Sequence, residues 1–429
     1  MDRSEANHTS YLYAGALVIV ALTIGGATFQ GIWSDHLIEI AMIPAMLVGF
    51  YHFAANRLGT GARTLIVIAL ALIVLQFLPV SRTWSVAGAV NSVETKLFSP
   101  APLNSLEGAL FIIPLIGFML FISRFTDHQM EGLFRFVSVG VWINVAVGFL
   151  QLSFSGKLGE DNLLPYRLGI GLFSNENHFS TLIFASIPLF AWRFLARTAN
   201  PLLYIATVLI FLLVLFATGS KAGMALSGFI SVLAFVWFSN RKITPRLRLL
   251  AVCLTLLACS VLAGLFLSFS PVDGDRRMEI FSNTFVAIKD YWFSGSGLGT
   301  FQLVYPMYER TQEIAYEYAA RAHNDYLQIF LELGIVGIGS ICVLGALLVM
   351  KFDRSELAQA AMLSLMTVAI HSLVDFPMRT FGIAVPVAYL IAVILSEPAA
   401  DDVGGQTEQL QVDVENHRPQ AGQLSRLLS

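Results

Sequence analysis

Apolar stretches of about 20 residues recur along most of the chain, and they restrict its fold more than any other feature. Hydrophobic residues make up 56% of the 429 residues, and charged residues only 13%. Helical runs of this length match the hydrocarbon core of a bilayer, so we predict an all-α, polytopic integral membrane protein with about twelve transmembrane helices. The predicted spans are Tyr11–Phe29, Leu37–Ala54, Thr64–Val80, Gly108–Ser123, Leu133–Ser153, Phe179–Leu195, Pro201–Ala217, Ala222–Phe238, Leu247–Phe269, Tyr326–Met350, Leu357–Val374 and Thr380–Leu395.

The distribution of Lys and Arg predicts the orientation of these spans. Connections that follow even-numbered spans, such as those with Arg57 and Arg241, hold most of the basic residues, and such loops face the cytoplasm. The N-terminus is then cytoplasmic, and the odd-numbered connections lie outside the cytoplasmic membrane. Residues 1–396 form the transmembrane domain, and the polar tail, residues 397–429, is expected to be a disordered cytoplasmic extension.

The connection from Ser270 to Asp325 is a long polar stretch between two apolar spans. Loops longer than roughly 15 residues are usually functional or disordered. This one is rich in aromatic residues, which are scarce in disordered segments. We expect residues 270–325 to fold as one large extracytoplasmic loop, a lid over a site at the membrane.

The polar clusters that could carry chemistry all lie in odd-numbered connections. In addition to the large loop, they are Asn175–His178, Thr218–Lys221 and the segment from His371 to Arg379. The predicted orientation therefore places them on one outer face. This placement favours an interfacial site over a translocation path, which needs polar groups near the bilayer midplane.

The turn Thr218–Gly223 places Lys221 in the first turn of a helix that Ser220 can cap. A cation there opposes the helix dipole, so it is not placed to stabilise the helix. Backbone N–H groups together with a Lys form an anion site. The alternative is a side chain that reaches a lipid headgroup, and both interpretations remain open.

Arg276 and Arg277 precede a predicted amphipathic helix on the membrane or on other spans. Guanidinium groups bind a pyrophosphate bidentately, although contact with lipid headgroups is the simpler interpretation for either residue alone. The apolar residues that recur at helical spacing are Phe281, Phe285, Ile288 and Trp292.

His323 stands between Arg321 and Asn324, just before span ten. An imidazole with an ordinary pKa near 6.5 suits proton removal from a hydroxyl, and the charge of Arg321 would favour its neutral form. The alternative is a structural histidine.

Other polar residues have interpretations that the sequence leaves open. Asn175 and Asn177 are expected first to cap span six, and they could also bind sugar hydroxyls. Asp375 and Arg379 are expected to form a structural ion pair. Glu332, inside span ten, is either a functional carboxylate or a helix–helix contact.

Two other motif classes receive no support. Gly295, Gly297 and Gly299 follow no predicted strand, so they indicate a tight turn and not a dinucleotide site. The chain has no His-x-x-x-His or Cys-x-x-Cys pair, and we predict neither a metal site nor another cofactor.

Taken together, the segments resemble the O-antigen ligase and polymerase superfamily of bacterial envelope proteins. The matching stretches follow the family's order over the second half of the chain: Gly171–Asn177, Thr218–Gly223, Arg277 with Gly295–Phe301, Arg321–Leu327 with Leu331–Gly334, and His371–Pro377. The resemblance implies a GT-C-like fold in the bacterial inner membrane. It also implies metal-independent, inverting glycosyl transfer from a glycan on undecaprenyl pyrophosphate, on the extracytoplasmic face.

The resemblance also implies roles for single residues. The family's proposed base for the acceptor hydroxyl corresponds to His323, and its proposed pyrophosphate-binding residues correspond to Lys221 and Arg277. Lys221 replaces the usual Arg, so the charge is kept and the planar fork is lost. Further substrate-binding candidates are Arg276, Arg321, Asn175, Asn177 and Asn324.

Several functions stay in competition. His371–Pro377 looks more like polymerases of exopolysaccharide or O-antigen repeat units than like ligases that use lipid A-core. A flippase or other transporter would need paired charges at mid-membrane, and a non-catalytic scaffold would tolerate substitution of His323. The expected partners are the lipid-linked oligosaccharide, membrane lipids and other polysaccharide assembly proteins, with no nucleic acid.

Overall fold

The computed structural model describes residues 3–85, 92–153, 164–216, 218, 220–239, 276–310 and 319–398. These parts of the chain are mainly helical. The helices are α1 (Arg3–Ile24), α2 (Trp33–Tyr51), α3 (Thr60–Leu75), α4 (Pro102–Ile122), α5 (Asp127–Ser153), α6 (Glu176–Ala191), α7 (Pro201–Phe216), α8 (Lys221–Phe238), α9 (Arg277–Tyr291), α10 (Phe301–Val304), α11 (Asp325–Lys351), α12 (Glu356–His371) and α13 (Phe381–Leu395). Strands β1 (Arg82–Ser85) and β2 (Ser92–Thr95) form an antiparallel pair between α3 and α4, which the all-α prediction did not include.

Five of the described helices are long and apolar enough to cross a membrane, and six shorter apolar helices accompany them. Each predicted span coincides with one of these helices, except Leu247–Phe269, which lies outside the described residues. A helical, multi-pass membrane protein is therefore confirmed. The count of about twelve spans and the GT-C-like classification stay predictions. The predicted disordered tail also lies almost entirely outside the described residues.

The connections fall into two groups that alternate along the chain. In one group, Arg57 binds Asp127 across two even-numbered connections, and Lys351 lies 3.6 Å from Glu397. In the other group, the Ser220 hydroxyl donates to Asn177 Oδ1 at 2.8 Å, which joins the connections before α6 and α8. Even-numbered connections thus contact even-numbered ones, and odd-numbered connections contact odd-numbered ones, as the distribution of basic residues predicted. Which of the two groups faces the cytoplasm stays a prediction.

Close helix packing in the bundle depends on small residues. A Cβ atom on Gly49 of α2 would lie 2.4 Å from the carbonyl oxygen of Gly117 in α4. Such contacts allow two backbones to approach, as is common between membrane helices. The core around them is apolar and includes the fully buried Phe118, Phe184 and Tyr389.

The large loop is folded in its described parts, residues 276–310 and 319–325. Helix α9 packs against a small apolar cluster through Ile280, Ala287, Ile288 and Tyr291. Of the predicted apolar face, Ile288 packs on the protein, whereas Phe285 is 55% and Trp292 52% exposed, so whether this face lies on the membrane stays a prediction. The side of α9 that contacts the protein therefore holds Tyr291 together with three smaller apolar residues.

The glycine run Gly295–Gly299 contacts a break in α11. Gly334 has φ +63°, and a Cβ atom on Gly295 (φ +72°) would lie 2.3 Å from Glu332 O. The backbone N–H groups of Ser296 and Gly297 donate to Leu331 O at 2.7 Å and Glu332 O at 2.9 Å. The run therefore donates hydrogen bonds to carbonyl groups that the break leaves without helical partners. Glycine is needed at Gly295 because the two backbones approach too closely for a Cβ atom.

Candidate functional site

The turn between α12 and α13, one of the odd-numbered connections, carries a buried carboxylate. Asp375 is 0% exposed, and its N–H donates to His371 O at 3.0 Å. The N–H of Phe376 donates to Asp375 Oδ1 at 2.9 Å. These bonds fix the carboxylate relative to the end of α12.

Three basic side chains from three other elements surround this carboxylate. His178 Nε2 from α6 and His323 Nδ1 from the large loop lie 3.8 Å and 3.9 Å from Asp375 Oδ1. Arg277 Nη2 from α9 lies 4.0 Å from Asp375 Oδ2. Burial by itself raises the pKa of Asp375, but the neighbouring His178 and Arg277 outweigh it, so the pKa is lower than usual. The carboxylate is therefore ionised at neutral pH.

The ring of Phe376 contacts two of these imidazoles. Its ring centroid lies 5.0 Å from that of His178 and 5.0 Å from that of His323, in edge-on arrangements at 85° and 78°. His178 is fully buried, whereas the side chain of His323 is 30% exposed. A substrate can therefore reach His323 from outside, while His178 belongs to the interior.

Hydrogen bonds from the protein orient the buried histidines. The Thr380 hydroxyl lies 2.7 Å from His178 Nδ1, and the Thr181 hydroxyl lies 2.9 Å from His371 Nδ1. Among the described residues, no group of three or more His, Cys, Asp or Glu side chains is placed to hold a metal ion. The imidazoles of His178 and His323 instead converge on one carboxylate.

Asn175 caps α6 and Ser220 caps α8, while Asn177 lies inside α6 and does not cap it. Asn175 Oδ1 accepts from the N–H of Asn177 at 2.8 Å, and Ser220 Oγ accepts from the N–H of Gly223 at 3.2 Å, as the sequence predicted. Because Ser220 also donates to Asn177, the backbone before Lys221 lies beside the turn of α6 that holds His178. The side chain of Lys221 is outside the part that the structure describes.

The two adjacent arginines have different surroundings. Arg277 Nη1 donates to Val374 O at 3.0 Å, on the turn that carries Asp375. Arg276 instead donates to Glu309 at 2.8 Å and lies 3.5 Å from Glu279. The structure therefore brings Arg277 to the histidine cluster, formed by His178, His323 and Asp375. It directs Arg276 toward carboxylates of the loop.

Asn324 caps α11 and attaches it to the same turn. Its Oδ1 accepts from the N–H of Leu327 at 2.9 Å, and its Nδ2 donates to Leu373 O at 2.7 Å. The preceding residue, His323, has φ +50°, which is unusual for a residue other than glycine. The cap and the turn together hold the imidazole over Asp375.

The predicted ion pair between Asp375 and Arg379 was wrong. Arg379 lies 3.9 Å from Asp325 and 3.4 Å from Glu332, both in α11. The reason is local geometry: the turn Pro377–Arg379 folds over the start of α11, where the N–H of Met378 donates to Asp325 Oδ2 at 3.3 Å. Glu332 is therefore part of a helix-to-turn contact, while its interpretation as a functional carboxylate stays a prediction.

Arg321 is buried next to this second charge cluster and not beside the imidazole. Its Nη2 lies 3.4 Å from Gln30 Oε1, and its side chain is shielded from water. Burial and the neighbouring Arg379 lower its pKa to about 10, so it remains charged at neutral pH.

Sequence reasoning did not identify His178 and Asp375 as members of the cluster. Both stand beside segments that had been noticed, since His178 follows the Asn caps and Asp375 follows His371. The available signal was their position in odd-numbered connections. Their convergence depends on tertiary packing, which the spacing of residues does not show.

Fold and site together define a multi-pass helical membrane protein with a basic, histidine-bearing cluster at one end of its helices. Residues 206–342 match the family Wzy_C, described as O-Antigen ligase. This match confirms the resemblance to the O-antigen ligase and polymerase superfamily. The matched region contains Lys221, Arg277 and His323, whereas His178 and Asp375 lie outside it. A search of curated proteins finds no match.

Proposed function

We propose that the protein transfers a glycan from a polyprenyl-diphosphate donor to an acceptor hydroxyl, outside the bacterial cytoplasmic membrane and without a metal. One observation carries this proposal: the accessible His323 and the guanidinium of Arg277 lie on either side of the same buried carboxylate. A base for the acceptor and a cation for a diphosphate thus lie 3.9 Å and 4.0 Å from the same carboxylate. The match to the O-antigen ligase family agrees with this chemistry.

The residues act as follows in the proposed reaction. The acceptor oxygen attacks the anomeric carbon while the bond from that carbon to the diphosphate oxygen breaks, with inversion. The proton of the hydroxyl passes to His323, and the electron pair of the broken bond stays on the polyprenyl diphosphate. Nδ1 of His323 faces Asp375, so we assign Nε2 as the base. The negative charge of Asp375 then stabilises the imidazolium.

Arg277 and Lys221 bind the diphosphate in this proposal, and Asn175, Asn177, Asn324, Arg276 and Arg321 remain candidates for other contacts. The leaving group already carries charge well, so cations that stabilise it contribute more than a general acid would. Two cations near the developing charge are worth several kcal/mol in a site with little water.

We infer polymerisation of exopolysaccharide or O-antigen repeat units as the specific reaction, and transfer to lipid A-core is the alternative. Both use the same donor chemistry and differ only in the acceptor. The preference for a polymerase depends on the segment His371–Pro377, which forms the turn that holds the cluster.

Reconstitution tests the proposal. Purified protein in liposomes is given a lipid-linked oligosaccharide, with and without lipid A-core. Longer lipid-linked products indicate a polymerase, and transfer to lipid A-core indicates a ligase. Movement of the donor across the bilayer without any new glycosidic bond would instead indicate a transporter.

The residue test compares two histidine variants. His323→Ala is expected to abolish transfer, whereas His128→Ala, an exposed residue at the start of α5, keeps wild-type turnover. Monodisperse elution and an unchanged melting temperature show that each variant is folded. Wild-type turnover of His323→Ala would refute the assigned base.

A further inference from the structure

One ring nitrogen of His178 is buried against the carboxylate of the site. The side chain is 0% exposed, and Nε2 lies 3.8 Å from Oδ1 of Asp375, which is also 0% exposed. Among the described residues, this nitrogen has no hydrogen-bond partner. A buried polar atom without a partner costs free energy, so its direction toward Asp375 calls for a physical explanation.

The hydroxyl of Thr380 determines which nitrogen of His178 carries the proton. It lies 2.7 Å from Nδ1, and it makes no capping bond to α13. If Nδ1 carried the proton, the lone pair of Nε2 would point at the negative charge of Asp375 in the interior of the protein. The opposite arrangement removes this repulsion: the Thr380 O–H donates to Nδ1, and the N–H of Nε2 points at Asp375.

The same carboxylate oxygen faces two imidazoles. Oδ1 of Asp375 lies 3.8 Å from His178 Nε2 and 3.9 Å from His323 Nδ1, and it accepts from the N–H of Phe376 at 2.9 Å. Both imidazole distances are longer than a hydrogen bond, and contacts of this kind tighten when substrate binds. Because the two rings approach one atom, a donor on the His178 side reduces the negative charge that acts on His323.

Other charged and titratable groups face this carboxylate or His178 from the neighbouring elements. Arg277 of α9 has Nη2 4.0 Å from Oδ2 of Asp375. His371 of α12 also interacts electrostatically with Asp375, and Asp325 of α11 does so with His178. Since Arg277 stays beside the carboxylate, Asp375 keeps a cationic neighbour when His178 is replaced.

We propose that His178 is a positioning residue, which donates toward Asp375 as a neutral imidazole and thereby sets how strongly the carboxylate holds a proton on His323. Without this donor, the carboxylate stabilises the protonated form of His323 more, so the base stays charged up to a higher pH. The inference rests on the proposed function only for the use of His323 as the base in transfer. A charged His178 imidazolium is the competing interpretation.

Acylation with diethyl pyrocarbonate measures the protonation of His323 without any need for turnover. The reagent reacts with neutral imidazoles, and it can reach His323, whose side chain is 30% exposed, but not the buried His178. The full chain is treated in nanodiscs between pH 5 and 9, and peptide mass spectrometry gives the rate at His323. The exposed His128 in the same molecule is the reference, and its profile should be identical in every variant.

Two substitutions of His178 separate a neutral donor from a charged one. His178→Leu removes the donor, so the acylation profile of His323 and the acidic limb of kcat should both move to higher pH. This shift is opposite in sign to the one expected for Asp375→Asn. His178→Gln keeps an uncharged N–H at a similar distance from the backbone and should restore the wild-type profile.

A substitution of Thr380 tests the same link and leaves the buried ring in place. Thr380→Val removes the hydroxyl that fixes the proton on Nε2 of His178, so the profile of His323 should shift in the same direction as in His178→Leu, by a smaller amount. The matched control is Thr284→Val, a fully buried position of α9 whose hydroxyl donates to Ile280 O at 2.6 Å. This control should keep the wild-type profile.

The outcomes separate this inference from the proposed function. A shift in His178→Gln as large as in His178→Leu would refute the neutral donor. Wild-type profiles in both His178→Leu and Thr380→Val, or shifts to lower pH, would overturn the proposal and leave glycosyl transfer intact. The expected acylation shifts in a protein that transfers no glycan would support the inference and refute the proposed function. If His178→Leu aggregates, Thr380→Val and its control decide the result.

Discussion

Replacing Asp375 with Asn removes one charge from the centre of the cluster and leaves the shape of the side chain. His323 Nδ1 is 3.9 Å from the carboxylate. At ~4 Å, the attraction between an imidazolium and a carboxylate is about 1 kcal/mol in water and about 4 kcal/mol at an effective dielectric constant near 20. His323 is 30% exposed, so solvent screening favours the lower part of this range. We estimate ~1–2 kcal/mol, which corresponds to a roughly 5- to 30-fold lower kcat for Asp375→Asn.

The pH dependence of kcat distinguishes this effect from general damage. A base must be neutral to accept the proton, so the rate rises with pH through the titration of His323. The carboxylate of Asp375 favours the protonated imidazole, and its removal makes protonation harder. The acidic limb of the profile should therefore move to lower pH.

The assay is single-turnover transfer from a radiolabelled lipid-linked oligosaccharide, measured between pH 5 and 9. The matched control is Asp290→Asn, which removes a carboxylate from the same loop; Asp290 accepts a hydrogen bond from Tyr308 at 2.6 Å and lies outside the cluster. We expect the control to keep the wild-type profile. A lower kcat for Asp375→Asn with an unshifted acidic limb would refute the electrostatic argument, and an unchanged kcat would remove Asp375 from the mechanism.

Three further predictions follow from the geometry. Arg277→Lys keeps a charge but loses the planar fork, so KM for the donor should rise by about tenfold in steady-state assays, with a smaller change in kcat; an unchanged KM would contradict a role in diphosphate binding. Gly295→Ala should lower the melting temperature and expose the loop to protease, because its Cβ atom would lie 2.3 Å from Glu332 O. The control is Gly339→Ala in α11, whose Cβ atom would have nothing within 4 Å and which should be neutral or slightly stabilising. Ser220→Ala and Ser355→Ala each remove a helix N-cap worth about 1 kcal/mol. Only Ser220→Ala also loses the bond to Asn177, so only this variant should raise KM for the donor. Equal KM values for the two variants would contradict the link between the α8 cap and the site.

The sequence predicted those features that depend on local pattern. Apolar runs located the helices because a segment that crosses a bilayer must be apolar over about 20 residues, whatever its neighbours are. Helix caps at Asn175 and Ser220 were predicted for the same reason, since the capping bond joins residues two or three positions apart.

Features that depend on distant contacts were not predictable in this way. Asp375 and Arg379 are four residues apart, and proximity in sequence suggested an ion pair that the turn Pro377–Arg379 prevents. Whether the predicted apolar face of α9 meets the membrane or other spans was left open, because periodicity identifies an apolar stripe but not what that stripe contacts. In a membrane protein, a large aromatic residue such as Trp292 is stable facing the interface, so exposure of apolar surface carries less information than in water.

The backbone of His323 shows how tightly the candidate base is positioned. A φ of +50° costs a residue with a Cβ roughly 1–2 kcal/mol, and Gly or Asn would relieve that strain. The conformation persists because both neighbours are fixed: Asn324 binds the α12–α13 turn through Leu373 O, and Asp325 binds it through Ser372. The same short first segment of α11 ends at Gly334, where the glycine run contacts it. The imidazole is thus placed over Asp375 by contacts at both ends of one helical segment, and loosening either end should move the base before it unfolds the bundle.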